Sequence, residues 1–310
     1  MKFLAAACSY ILLQCPLVAE VASLSWDTEQ AAPVQAVAGD AQQLLPALRL
    51  GLSTLPESAI VSLALSQPGL LGLTPAQSAT LAPLVAKRYE MMATSSDYAK
   101  APSLLPYCYS ETRPTKGAAI IHIPEGATAK TQVIIFLHGF GGSFLWYLHW
   151  MAETFPDHII IAPAYGISPA NIPEAYLAEC MVAASRRLRF QLPRPSLVGL
   201  SAGGFGACRA FLAAPDRYER LICLAAYPPE NTVHRFSRTQ KILFVAGSLE
   251  TFVTSGEFRT SLQTIRVHCP TAAMILIPDA DHFFMLSHPE DTRIALRSAL
   301  TAAQTAEPKN

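Results

Sequence analysis

The sequence predicts an α/β fold, a mostly parallel central sheet with helices on both faces. Three observations predict it. Seven short runs rich in Ile, Val and Leu recur from about residue 117 to residue 278. Several are apolar throughout rather than alternating, the pattern of strands buried on both faces. The stretches between them are long enough for crossover helices and carry helical patterns, which is the order of an open parallel sheet. With 310 residues, 51% of them hydrophobic, the chain can bury a core of that size.

Taken in order, the chain opens with MKFLAAACSYILLQCPLVAEVAS. Lys2 followed by an apolar run from Phe3 to Ala19 has the order of a secretory signal, so residues 1–22 are read as a signal peptide or an uncleaved anchor. Cleavage after Ala22 would put Glu20 three residues upstream, and cleavage after Ala19 would put Leu17 there, where small residues are preferred. The expectation is export, periplasmic or extracellular, with membrane anchoring only through this N-terminus and a cytoplasmic protein as the alternative. Residues 23–105 read as a helical appendage that packs on the main domain or covers its site. In its helix TPAQSATLAPLVAKRYEMM, Thr74 and Pro75 supply a cap and a first-turn proline, and Pro83 should kink or break the helix beyond it.

The main domain is expected over residues 106–305. Its strands are AAIIHI (118–123), QVIIFLH (132–138), HIIIAP (158–163), SLVGL (196–200), LICLAAY (221–227), KILFVAG (241–247) and AAMILIP (272–278). Helices are expected in SFLWYLHWMAETF, EAYLAECMVAASRRLRF, AGGFGACRAFLAA and HPEDTRIALRSALTAA. Active groups in such sheets gather beyond the carboxyl ends of the strands. Lys+Arg and Asp+Glu are 23 each, with no long basic run, which argues against a nucleic-acid partner and for a small organic one. Beyond the leader, Cys108, Cys180, Cys208, Cys223 and Cys269 form no CxxC pair. Most read as buried small hydrophobes, with one disulfide conceivable in an exported form.

Gly199-Leu200-Ser201-Ala202-Gly203 follows a buried strand and opens a helix. A sharp turn there strains the serine backbone and crowds the positions two before and two after it, which glycines relieve. Ser201 is therefore the candidate nucleophile, weighed against a mere tight-turn serine. A serine needs a positioned base. His282, in the loop PDADHFF after the last strand, is the best placed of the eight histidines; its bland reading is a loop histidine held by Asp279 or Asp281. The imidazole in turn wants a carboxylate. Glu250, just past KILFVAG, is the first choice, and Glu230 could reach from the preceding strand. The run His138-Gly139-Phe140-Gly141-Gly142 ends another strand with exposed main chain, so the N–H groups of Phe140 and Ala202 are the expected oxyanion donors, with His138 as a brace.

HGFGG, GLSAGG, GSLE and DADHFF occur in the order oxyanion loop, nucleophile, acid and histidine, and over roughly residues 117–300 the chain resembles the α/β-hydrolase superfamily. That resemblance implies the α/β-hydrolase fold and an acyl-enzyme mechanism on an ester, thioester or amide, with no metal or organic cofactor. Glu250 stands where Asp is commoner in the family, and only about 14 residues separate LICLAAY from KILFVAG, too few for the helical lid often inserted there. Residues 24–105 could substitute for one. Phe140, Phe144, Trp146, Phe283 and Phe284 are read either as an apolar acyl pocket or as core aromatics. The expected activity is a serine carboxylesterase on a small-molecule acyl substrate. A peptidase or acyltransferase on the same scaffold and a non-catalytic binding protein are the competing readings.

Overall fold

A computed structural model describes residues 19–34, 41–67, 73–228 and 230–301. The chain begins with strand β1 (Glu20–Asp27), followed by helices α1 (Ala41–Thr54), α2 (Glu57–Ser66), α3 (Pro75–Ala93), α4 (Ser96–Ala99) and α5 (Leu105–Cys108). Strands β2 (Lys116–Ile123) and β3 (Val133–Leu137) come next, then α6 (Leu145–Thr154), β4 (Ile159–Ala164), α7 (Glu174–Leu188), β5 (Ser196–Leu200), α8 (Ala202–Ala213) and β6 (Arg220–Leu224). The remainder is β7 (Ile242–Gly247), α9 (Thr251–Thr254), α10 (Glu257–His268), β8 (Ala273–Ile277), α11 (Phe284–Ser287) and α12 (Pro289–Thr301).

The eight strands form one sheet in the order β1-β2-β4-β3-β5-β6-β7-β8. From β4 to β8 every neighbouring pair is parallel, while β1 and β2 run antiparallel at one edge. The seven runs read from the sequence are β2 to β8. Strand β1 is not among them: residues 23–27 lie in the sheet, not in a helical appendage. Its signal is the alternation in SLSWD, where Leu24 and Trp26 are buried while Ser23 and Ser25 face outward. That five-residue pattern abuts the apolar leader, which masks it. Most of the leader, residues 1–18, lies outside the described residues, as do residues 302–305 of the expected main domain. No helix among the described residues is long and apolar enough to cross a membrane.

Successive strand residues alternate between two cores. Ile121, Ile135, Leu197 and Phe244 pack on one face with residues of α7, α8 and α10. Ile120, Ile134, Phe136 and Val198 pack on the other with residues of α6 and α12, and Val61, Leu81 and Tyr89 of α2 and α3 belong to that same cluster. The N-terminal helices are thus continuous with the main core. Helix α3 starts as the sequence indicates, with a capping box between Thr74 and Gln77 and Pro75 in its first turn. It does not break at Pro83, however, but runs on to Ala93. Burial of Leu81, Val85, Tyr89 and Met92 on one side outweighs the hydrogen bond that the proline removes.

Between β6 and β7 the described residues hold only a 3₁₀ segment, Glu230–Arg235, and no inserted helical lid. The five cysteines beyond the leader are all buried free thiols. Cys208 on α8 and Cys223 on β6 come within 3.7 Å, sulfur to sulfur.

Candidate active site

Strands β3, β5, β7 and β8 all end at one edge of the sheet, and each delivers one part of the site. At the end of β5, Ser201 adopts φ 52° and ψ −116°, a conformation rare for a residue with a side chain. Its N–H donates to Leu224 O across 2.7 Å, and its carbonyl accepts from Gly204 N–H at 2.8 Å. The flanking glycines answer to crowding. A Cβ on Gly199 would run into the Gly203 carbonyl, and one on Gly203 would run into the carbonyls of Leu137 and His138 at the end of β3. The turn therefore brings the serine and the β3 loop together.

His282 lies in the loop after β8. Its Nε2 is 2.9 Å from Ser201 Oγ and its Nδ1 is 2.9 Å from Glu250 Oε2. A carboxylate can only accept, so Nδ1–H donates to Glu250; the neutral ring then offers Nε2 as acceptor to the serine hydroxyl. Glu250 is buried at 4% exposure, and its Oε1 accepts the Gly247 N–H at 3.2 Å. The two loops are laced together: Leu249 N–H donates to Ala280 O, Ser248 N–H to Ile277 O, and Asp279 N–H to Ser248 Oγ, each at 2.9 Å. Gly247 has no side chain where the Ala280 and Asp281 carbonyls cross over it. Asp281 accepts the Phe283 N–H within its own turn, and Asp279 and Asp281 make no bond to the imidazole. Glu230 begins the 3₁₀ segment after β6; its side chain is not among those described.

The loop after β3 lies against the serine, since a Cβ on Gly139 would sit 3.7 Å from Ser201 Cβ. Gly141 and Gly142 adopt φ 104° and 117°, which side chains disfavour. A bond from Gly141 N–H to Ile167 O at 2.9 Å and one from Tyr109 Oη–H to Gly141 O at 3.0 Å fix the loop. His138 Nδ1 is 2.7 Å from Gly139 O and Nε2 accepts from Tyr165 N–H at 3.4 Å, which is the neutral tautomer with the proton on Nδ1. Burial pushes this imidazole down to about 4, the Gly139 carbonyl opposing that shift. Among the described residues, neither the Phe140 N–H nor the Ala202 N–H has a protein acceptor. Ala202 is the first residue of α8, where the helix leaves N–H groups open and its dipole favours negative charge.

Ser201 and His282 open into a cavity of about 380 Å³. Of the five aromatics singled out in the sequence, Phe140, Phe144, Trp146 and Phe283 line it. Phe284 does not; it is fully buried in the core. Helices α2 and α3 also line the cavity, through residues such as Val61, Leu65, Leu81 and Val85. Those four are not visible as site residues in the sequence, where they are ordinary apolar positions of amphipathic helices. Sequence reasoning also misses Glu57. It is a buried carboxylate that accepts from Leu145 N–H at 2.6 Å, from Tyr89 Oη–H at 2.8 Å and from Ser103. An acid in the first turn of a helix ordinarily reads as a solvated partner of the dipole.

The sheet order, the strained serine between β5 and α8 and the histidine loop after β8 are those of an α/β-hydrolase fold. Residues 132–242 match the family model described as alpha/beta hydrolase fold. Similar solved structures include a predicted CIB-like hydrolase from Thermoplasma acidophilum, with 16% identity, a TM-score of 0.45 and coverage of 59% of this chain and 92% of that one. An esterase from Pyrococcus furiosus has 13% identity and a TM-score of 0.49 over 60% of this chain and 87% of the other. The carboxylesterase CesB from Bacillus subtilis has 18% identity and a TM-score of 0.44 over 59% and 88%. No curated protein sequence matches the chain.

Proposed function

We propose that the chain is a serine hydrolase that cleaves carboxylic esters through an acyl-enzyme on Ser201. The observation that carries this reading is the unbroken line from Ser201 Oγ through His282 to Glu250, 2.9 Å at each step, at the rim of an apolar cavity. In the reaction, His282 Nε2 takes the serine proton as Oγ bonds to the acyl carbon. The carbonyl oxygen gains the negative charge and is held by the free N–H groups of Phe140 and Ala202. The carbon–oxygen bond to the alcohol then breaks, and the proton on Nε2 goes to the departing oxygen. Water repeats the sequence: His282 accepts its proton, its oxygen bonds to the acyl carbon, and the proton returns to Ser201 as the acid leaves. Glu250 fixes the tautomer throughout and stabilises the transient imidazolium.

A fluorophosphonate probe tests this. Labelling of the wild type and none of Ser201→Ala is the expected result. A well-folded wild type that takes no label would turn the reading towards a non-catalytic binding protein. Parallel assays on p-nitrophenyl esters and aminoacyl anilides should give ester turnover; anilide turnover without ester turnover would make it a peptidase.

A further inference from the structure

The cavity that α2 and α3 line together with the oxyanion loop has a size and a chemistry, and both bear on the acyl group. We propose that these N-terminal helices form the acyl-chain site and select esters of linear, medium-length fatty acids of about eight to ten carbons. This rests on the esterase reading above.

The cavity measures about 380 Å³. If each non-hydrogen atom takes about the 30 Å³ that one water occupies in the liquid, this is room for at most roughly a dozen such atoms, with the ester carbonyl at Ser201 among them, so a decanoyl group is the upper limit. On the helical side Val61, Leu65, Leu81 and Val85 present only hydrocarbon. Phe144, Tyr147 and Met285 of the main domain line the same cavity. The one polar side chain that α3 contributes to the lining is Gln77, and its Oε1 is already taken by Thr74 in the capping box. Against that hydrocarbon a hydroxylated or charged acyl group would lose water without adequate replacement, which disfavours sugars and amino acids; the polar Tyr147 lines the cavity elsewhere. A saturated chain loses nothing, and each methylene it buries is worth about fourfold in binding.

The wall is also preformed. Glu57, at the start of α2, is tied to Leu145 at the start of α6, and Ser78 of α3 donates to the Leu65 carbonyl near the end of α2. Both helices share a core with the sheet. The wall is therefore in place before an acyl chain arrives.

The test has a catalytic and a non-catalytic arm. In the first, kcat/KM is measured on p-nitrophenyl esters from acetate to palmitate, with cinnamate as an aromatic control, for wild type, Leu81→Phe and Leu81→Ala. The wild type should peak at octanoate or decanoate. Leu81→Phe should lower the ratio of decanoate to butyrate turnover at least about tenfold, and Leu81→Ala should move the peak to a longer chain. A wild-type optimum at acetate, a preference for cinnamate, or an optimum that neither substitution moves would overturn the proposal. In the second arm, decanoate and butyrate binding to Ser201→Ala is measured by calorimetry, with and without Leu81→Phe. Preferential binding of decanoate that Leu81→Phe weakens upholds the acyl site even if no ester is turned over, a result that would count against the esterase reading alone. Equal binding of the two acids overturns the acyl site whatever the enzyme hydrolyses.

Discussion

The carboxylate of Glu57, the first residue of α2, accepts the backbone N–H of Leu145, the first residue of α6, across 2.6 Å. One bond thus joins the N-terminal helices to the end of the loop that carries Phe140. Burial raises the Glu57 carboxyl above its ordinary range, against the opposing bonds from Ser103, Leu145 and Tyr89. A carboxyl raised in the folded state binds its proton more tightly there than in the unfolded chain. Its contribution is therefore complete below the ordinary carboxylate range and is lost as pH rises through the raised value. Glu57→Gln keeps an acceptor for Leu145 without the charge. Urea melts between pH 4.5 and 8 should show the wild type losing stability relative to Glu57→Gln as pH rises; a constant difference would remove the carboxyl from this role. Glu57→Leu leaves the Leu145 N–H unpaired, which should cost about 1–3 kcal/mol.

Glu250 and Glu230 make opposite predictions. With Glu250→Gln the amide no longer holds the proton on His282 Nδ1, the wrong tautomer faces Ser201, and kcat should fall about 10³–10⁴-fold with the fold intact. Glu230→Gln should leave kcat within about twofold. Steady-state kinetics on one p-nitrophenyl ester separates them, and the reverse outcome would move the acid to the β6 end.

His138 makes the protein acid-sensitive. Burial holds its imidazole at about 4 where an unfolded chain leaves it near the 6.5 usual for histidine. A base depressed in the folded state contributes stability above the unfolded value and loses it as pH falls through the folded one. Between pH 6.5 and 4 this amounts to about 3 kcal/mol. Unfolding free energies at pH 7 and 4.5 should therefore differ less in His138→Gln than in the wild type. Equal slopes would mean that His138 is charged or solvated in the fold.

Strand β1 constrains where a leader could be removed. Glu20, Val21 and Ala22 pair with Ile123, His122 and Ile121, and Glu20 also meets Arg187. Cleavage after Ala19 leaves the strand whole, whereas cleavage after Ala22 strips three of its residues. If the leader is removed on export, amino-terminal sequencing of the mature protein should begin at Glu20. A start at Ser23 would mean that the edge strand tolerates the loss.

The range of each interaction decides how legible it is in the sequence. The apolar runs mark β3 to β7 because strands buried on both faces need no partner to be recognised, and the partly exposed β2 and β8 share their Ile- and Leu-rich composition. Ser201 stands out because its glycines are a local signature of the turn, and its neighbours Gly199 and Gly203 prove to be required by backbone crossings. His282 and Glu250 are reachable because parallel strands put every following loop at one edge. The roles of Val61, Leu81 and Glu57 are not legible. Each depends on the surfaces that the N-terminal helices lie against, and neither periodicity nor spacing contains that. The continuation of α3 through Pro83 is hidden for the same reason, since tertiary packing overrides a local rule.

The glycines of the serine turn offer a contrast that separates packing from conformational strain. Gly203 has an ordinary helical backbone, yet a methyl group there would meet the carbonyls of Leu137, the last residue of β3, and of His138 just after it, main-chain atoms that cannot yield without moving the sheet. Gly256, the residue before α10, has φ 84° but open space around it. Replacing it by alanine adds only the cost of a left-handed residue, about 1–2 kcal/mol. Gly203→Ala should cost at least about 3 kcal/mol or prevent soluble accumulation, because the strain falls on β3 and β5 together. Thermal melts of the two variants beside wild type check the order. If Gly203→Ala proved the milder change, the close seating of α8 against β3 would be wrong, and with it the approach of Ser201 to the Phe140 loop.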